Sequence, residues 1–305
     1  METALIVFRQ TVVMFLYMFA GYVLFRKDLL TIRGSKDIAN ILVRLVIPAV
    51  ILNSFCVERT PERMMELLQS ALVTALSLII AMVIAALLYR KKPVANFGAA
   101  FANAGFIGIP LVQAAFGSEA VFWILSMVAM LNMLQYSYGV RLLTGEKSMT
   151  GLRHMLYNPI LISIAIGLVL FFTGAGGHMP EILSASLEGM SALNAPLAML
   201  VLGSYLAQSD LKKMMRDVSL YWLSAVRLII VPLATLMVIR LIPYRTELLL
   251  TVFIAASTPI GANVAVYAQL YDKDYPYACQ TVVITTLFSI ITLPLILMIA
   301  APLLG

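Results

Sequence analysis

The chain has 305 residues, 62% of them hydrophobic and only 12% charged, with a formal net charge of +6. A soluble domain carries about 25% charged residues; here apolar stretches of about 20 residues recur along the whole length, which excludes a soluble globular protein and indicates a polytopic membrane protein. The stretches are continuously apolar and lack the two-residue alternation of a barrel strand, which excludes a transmembrane β-barrel.

Ten helical spans are predicted, near 4–25, 37–56, 67–89, 95–116, 119–140, 157–173, 183–207, 218–239, 247–270 and 277–302. The first is followed by nine of similar length, so it is read as a retained helix and not as a cleaved signal peptide. Connections are short and leave no room for an extramembrane catalytic domain. The odd-numbered connections hold Arg26, Lys27, Arg33, Lys36, Arg90, Lys91, Lys92, Arg141, Lys147, Arg153, Lys212, Lys213, Arg216 and Lys273, against Arg59, Arg63, Arg240 and Arg245 in the even ones. That asymmetry places the odd connections in the cytoplasm and both termini outside, in an inner or plasma membrane. The basic excess is therefore a topology signal and not a nucleic-acid surface. Cys56 and Cys279 fall at opposite ends of their spans and cannot pair. No zinc spacing occurs, and neither metal nor cofactor is expected.

Taken in order, span one carries Arg9, close enough to its outer end to snorkel. Span two reads "LVRLVIPAVILNSF", with Arg44 just ahead of a mid-membrane proline, Pro48. Span four contains "FANAGFIGIP", which places Asn103, Gly105, Gly108 and Pro110 at the depth where a helix can least spare its hydrogen bonds. Span five is unusually polar, with Asn132, Gln135, Tyr136 and Tyr138; these are assigned to interface anchoring and helix packing. Span seven holds Glu188 and then Pro196 in "LNAPLAMLVLGSY", span eight holds Arg227, and span nine reads "STPIGANVAVYAQ", with Thr258, Pro259, Gly261 and Asn263.

These positions pair off. Pro48 in span two matches Pro196 in span seven, and "GFIGIP" in span four matches "STPIGAN" in span nine. Five spans is an odd number, so a second copy enters from the opposite side. The predicted fold is thus an all-α membrane protein in which 1–140 and 157–305 form a 5+5 inverted repeat. An unsatisfied backbone group in lipid costs several kcal/mol, so unwound chain survives only when buried in protein or lining a cavity. Spans four and nine are therefore expected to be broken and to cross near the bilayer centre, the best sequence pointer to a transporter's substrate site. Each break offers a half-helix N-terminus, with about half a positive charge and free N–H groups, to an anion.

Arg44, Glu188 and Arg227 are the intramembrane charges that could serve coupling or charge compensation. Glu188 either stays buried, as the one acidic candidate for proton coupling, or reaches the surface. Arg44 and Arg227 are either partners of backbone carbonyls or sources of positive potential. The sparse acidic content argues against a carboxylate-rich sodium site. An intramembrane enzyme would need a constellation that His154 and His178, both in or near connections, do not supply.

The sequence resembles the auxin efflux carrier family. "FANAGFIGIPLVQAAFG" is similar to that family's fourth-span signature and "AASTPIGANVAVYAQLY" to its ninth, while "ACQTVVITTLFSIITLPLI" and "LVRLVIPAVILNSF" are similar to its last and second spans. The short middle connection suits a compact, bacterial-type member. The resemblance implies a fold related to the bile-acid symporters, with a scaffold of spans 1, 2, 6 and 7, elevator-like movement of spans 3–5 and 8–10, and homodimerisation through spans two and seven. It also implies secondary transport of small organic anions, such as malate or other carboxylates, with the carboxylate held at Asn103, Gly105, Gly108, Pro110, Pro259 and Asn263. The residues add Thr258 and Gly261. Proton or sodium coupling stays open, as do two other readings, a sodium-coupled organic-anion symporter and a non-transporting membrane sensor on the same fold.

Overall fold

The computed structural model describes residues 2–145, 157–209 and 214–305. Lys147, Arg153, His154, Lys212 and Lys213 lie outside the described residues. Within them the structure is helical: α1 (Glu2–Arg26), α2 (Ile32–Ser54), α3 (Pro61–Leu88), α4 (Pro93–Ala100), α5 (Ala104–Phe116), α6 (Ser118–Thr144), α7 (Pro159–Thr173), α8 (Glu181–Gln208), α9 (Val218–Ile239), α10 (Thr246–Ser257), α11 (Asn263–Leu270) and α12 (Tyr275–Leu304). Seven of these, α1, α2, α3, α6, α8, α9 and α12, are long and apolar enough to cross a membrane singly.

The other predicted spans are built from shorter pieces. The segment 95–116 holds α4 and α5, and 247–270 holds α10 and α11. Span six corresponds to the 15-residue α7, started by Asn158, whose side chain accepts from the amides of Ile160 and Leu161, and stopped by Gly174 in the left-handed conformation. Capping recurs at other helix starts. Thr60 accepts from Arg63 N ahead of Pro61 at the first helical position, and Asp274 accepts from Tyr277 N. Both devices satisfy amides that a helix start leaves without partners.

Proline shapes the interiors. In α2, α5 and α9 one wide π-turn, at Leu42–Val46, Ala104–Gly108 and Val226–Ile230, ends just before Pro48, Pro110 and Pro232. A proline ring lacks an N–H and crowds the carbonyl four residues earlier, so the preceding turn opens. Large apolar side chains such as Phe19, Ile79, Leu87, Ile182 and Ile291 point outward from α1, α3, α8 and α12, a surface that suits hydrocarbon and not water. Inside, α1 lies along α8, and α3 packs on α4, α6, α9 and α10. Thr74 and Ser70 of α3 share the Ser126 hydroxyl of α6, at 3.0 and 3.2 Å.

Candidate functional site

The site is built where α4 gives way to α5 and α10 to α11. Phe101 is extended (φ −115, ψ 117), and so is Thr258 (φ −63, ψ 156). The two interruptions meet, with Ala102 opposite Ile260 in a single antiparallel bridge. Asn103 N donates to Pro259 O at 2.9 Å, and Gly261 N donates to Phe101 O at 3.2 Å. Ile260 N is taken by the Thr285 hydroxyl of α12 at 3.2 Å. Backbone groups freed by the breaks are thus paired inside the protein, which is what an apolar surrounding demands. A Cβ on Gly261 would stand 2.9 Å from Ala102 O, so any side chain there would press the two segments apart.

Beside the crossing lies a cavity of about 50 Å³, walled by Asn103, Gly105, Gly261 and Asn263 together with Val43 and Ile47 of α2, Asn132 and Gln135 of α6, and Ile160 of α7. Pockets for drug-sized ligands enclose about 300–1,000 Å³, so this one matches a small polar head and not a bulky body. Both α5 and α11 begin at it. Asn103 is 5% exposed, and its Oδ1 accepts from Phe106 N at 3.3 Å, capping α5. Its Nδ2 is buried without a partner. Asn263 Nδ2 donates to Gln135 Oε1 at 2.7 Å.

The remaining predicted residues are placed as follows. Gly108 packs towards Ile124 and Ala255. Pro110 is buried in α5, away from the cavity wall. Thr258 turns its hydroxyl onto Ala255 O at 2.8 Å, and Pro259 supplies the carbonyl that Asn103 N uses. These four shape the breaks. Arg44 and Glu188 are exposed on the outer faces of α2 and α8. Arg227 is 1% exposed and donates to three backbone carbonyls, of Thr258 at 3.1 Å, Ala99 at 3.3 Å, and Ala256. Of the two roles left open for it, this geometry is that of a partner of carbonyls.

Three polar residues go beyond the predicted set. Asn132 and Gln135, assigned above to packing, line the cavity; they are three apart on an apolar helix and so share a face. Tyr136 and Tyr138 do pack, against the rings of Tyr267 and Phe101. Asn194, where α8 resumes after a turn at Ala192 and Leu193 and two residues before Pro196, donates to Gly105 O at 3.2 Å and ties α8 to the start of α5. Its signal was an amide beside a mid-membrane proline.

A family model described as membrane transport protein matches residues 6–297. An uncharacterized transporter of Methanocaldococcus jannaschii is 26% identical over 278 residues, which cover 86% of this chain and 88% of that protein. An uncharacterized transporter of Methanothermobacter thermautotrophicus is 26% identical over 200 residues, 65% of this chain and 64% of its own length.

Proposed function

Because the chain belongs to the membrane transport protein family, the auxin efflux carriers, we propose that this multi-pass membrane protein is a secondary carrier of small organic anions whose carboxylate binds where α5 and α11 begin. The observation that carries the reading is the Asn103 Nδ2 donor, buried and unpaired at the wall of a cavity onto which two helix N-termini open. A buried donor without an acceptor costs about 1–3 kcal/mol; a carboxylate oxygen relieves that cost. Two converging N-termini add about half a positive charge each. Neutral amides from Asn132, Gln135 and Asn263 surround the same space without introducing a competing negative charge.

In this reading α4 with α5, and α10 with α11, are two broken spans in a ten-span, 5+5 inverted repeat. The helices α1, α2, α7 and α8 form the scaffold, and the rest move against it in an elevator-like alternation of access. The Asn194–Gly105 contact joins the two parts in the state described here. The outward apolar faces of α2 and α8 are the surface through which a homodimer would form.

Binding and folding separate cleanly at Asn103. Asn103→Asp keeps an oxygen that caps α5 but replaces the free donor by a negative acceptor. It is expected to melt within a few degrees of the parent in detergent and to lose the stabilisation that mono- or dicarboxylates give the parent in a thermal-shift screen, since a ligand that binds the native state raises apparent stability by mass action. Asn103→Ala removes cap and donor together and costs a further ~1 kcal/mol of stability. A carboxylate that stabilises Asn103→Asp as strongly as the parent would remove the anion from this site.

A further inference from the structure

Arg227 is the largest fully buried side chain among the described residues. It sits in the wide turn of α9 that precedes Pro232. No carboxylate lies within ion-pair distance of it among the described residues. Burying an unpaired cation costs several kcal/mol, so its compensation must come from elsewhere. It comes from helix ends. Ala99 O belongs to the last turn of α4, and Ala256 O and Thr258 O to the last turn of α10 and the residue beyond it. One guanidinium therefore bridges the C-terminal ends of both half-helices that lead into the crossing. Each such end carries about half a negative charge; two of them match a single cation.

In carriers built on broken helices, half-helix C-termini and unwound carbonyls are the groups that hold a coupling cation. Here those carbonyls already face a cation that is covalently part of α9. We propose that Arg227 is a tethered cation standing in the place of a dissociable alkali ion, so that the crossing is electrostatically complete on its C-terminal side and anion binding needs neither sodium nor potassium. The N-terminal ends remain the unneutralised half of the crossing, and the independence of anion binding from alkali ions rests on the carrier reading above. Arg227 is a positioning residue, since it acts through the carbonyls of the breaks and does not line the anion cavity.

The test reads cations and contains no carboxylate, so its outcome is separate from that of the Asn103 variants. Purified full-length protein is melted in detergent while sodium chloride replaces N-methylglucamine chloride at constant ionic strength. The parent is expected to melt at the same temperature throughout. Arg227→Ala is expected to melt lower in N-methylglucamine, and to regain several degrees, saturably, as sodium or low millimolar guanidinium chloride is added and fills the vacated carbonyl site. Arg227→Lys, which keeps the charge, is expected to be indifferent to sodium. A saturable sodium-dependent rise in the parent overturns the proposal, as does a folded Arg227→Ala that ignores both sodium and guanidinium. If Arg227→Ala does not fold in any of these salts, Arg227→Lys decides: indifference to sodium supports the tethered cation, and saturable stabilisation by sodium overturns it.

Discussion

Two close crossings hold this molecule together, and they solve the same problem in opposite ways. Where α1 meets the Asn194–Gln208 part of α8, both chains stay helical and the backbones touch directly. A Cβ on Gly203 would overlap Met18 O and stand 2.7 Å from Tyr22 N, and one on Gly21 would stand 2.7 Å from Leu200 Cα. Where α4–α5 meets α10–α11, the chain unwinds, pairs through two backbone hydrogen bonds and recruits Arg227 to cover the carbonyls it exposes. Small residues that let backbones approach are how membrane helices gain dispersion contact without a hydrophobic driving force. Unwinding forgoes that gain and leaves backbone polar groups to be paired inside an apolar interior. A chain retains such a crossing when the polar groups have a use, and the contrast fits a first crossing that is architecture and a second that holds the proposed anion site.

The contrast is broken most severely at Gly203. Gly203→Val places atoms where the main chain of α1 already is, and neither backbone can yield. A destabilisation of about 3 kcal/mol or more is expected, visible as loss of the monodisperse peak in detergent gel filtration and a collapsed thermal transition, with or without ligand. A near-parental melt would show that the α1–α8 contact can slide apart and is not fixed architecture.

The sequence carried the second crossing far more legibly than the first. Asn103, Gly105, Gly108 and Pro110 in one apolar segment, and Pro259, Gly261 and Asn263 in another, are helix-weakening residues concentrated at one depth, and concentration is a signal. Gly21 and Gly203 are single glycines in otherwise good helices, and nothing local distinguishes a packing glycine from an incidental one; their meaning appears only when two distant helices are brought together. Arg227 was visible as an intramembrane charge, but which carbonyls it serves depends on α4 and α10, more than a hundred residues apart in the chain. Gln135 reads in the sequence as a packing residue of a polar helix. Its cavity-facing role follows from Asn263, which a one-dimensional pattern does not place beside it. Asn194 is a lone amide whose partner, Gly105 O, lies 89 residues away in the chain, so no local pattern marks the contact.

A smaller effect is expected at the crossing itself. Gly261→Ala brings a methyl to 2.9 Å from Ala102 O, on segments that unwinding has already freed from helical constraint. The strands of the bridge can separate by a few tenths of an ångström, so a stability loss of about 1–3 kcal/mol is expected, with the fold retained. Carboxylate-induced stabilisation should fall much further, because the two helix starts that converge on the ligand move apart. If Gly261→Ala lowered the melting temperature while leaving ligand stabilisation intact, the alignment of the two breaks would not matter for binding.

The mildest substitution separates architecture from function most sharply. Gly105 lies at the start of α5 and on the cavity wall, but its surroundings are open. The nearest atom to an added Cβ is Ile47 Cδ1, at an ordinary 3.8 Å. If packing were the reason for this glycine, alanine would be welcome, since glycine inside a helix costs about 0.5–1 kcal/mol relative to alanine. Gly105→Ala is therefore expected to melt at or slightly above the parental temperature. Its methyl, however, would project between α5 and α2, beside a cavity of only about 50 Å³, and would take room from the proposed carboxylate. Anion affinity is expected to fall about tenfold, equivalent to ~1.4 kcal/mol, measured by titrating the ligand-induced thermal shift. Stability and affinity moving in opposite directions at one methyl group would identify Gly105 as kept for the ligand. A parallel gain in both would instead make it an ordinary helix position that happens to adjoin the break.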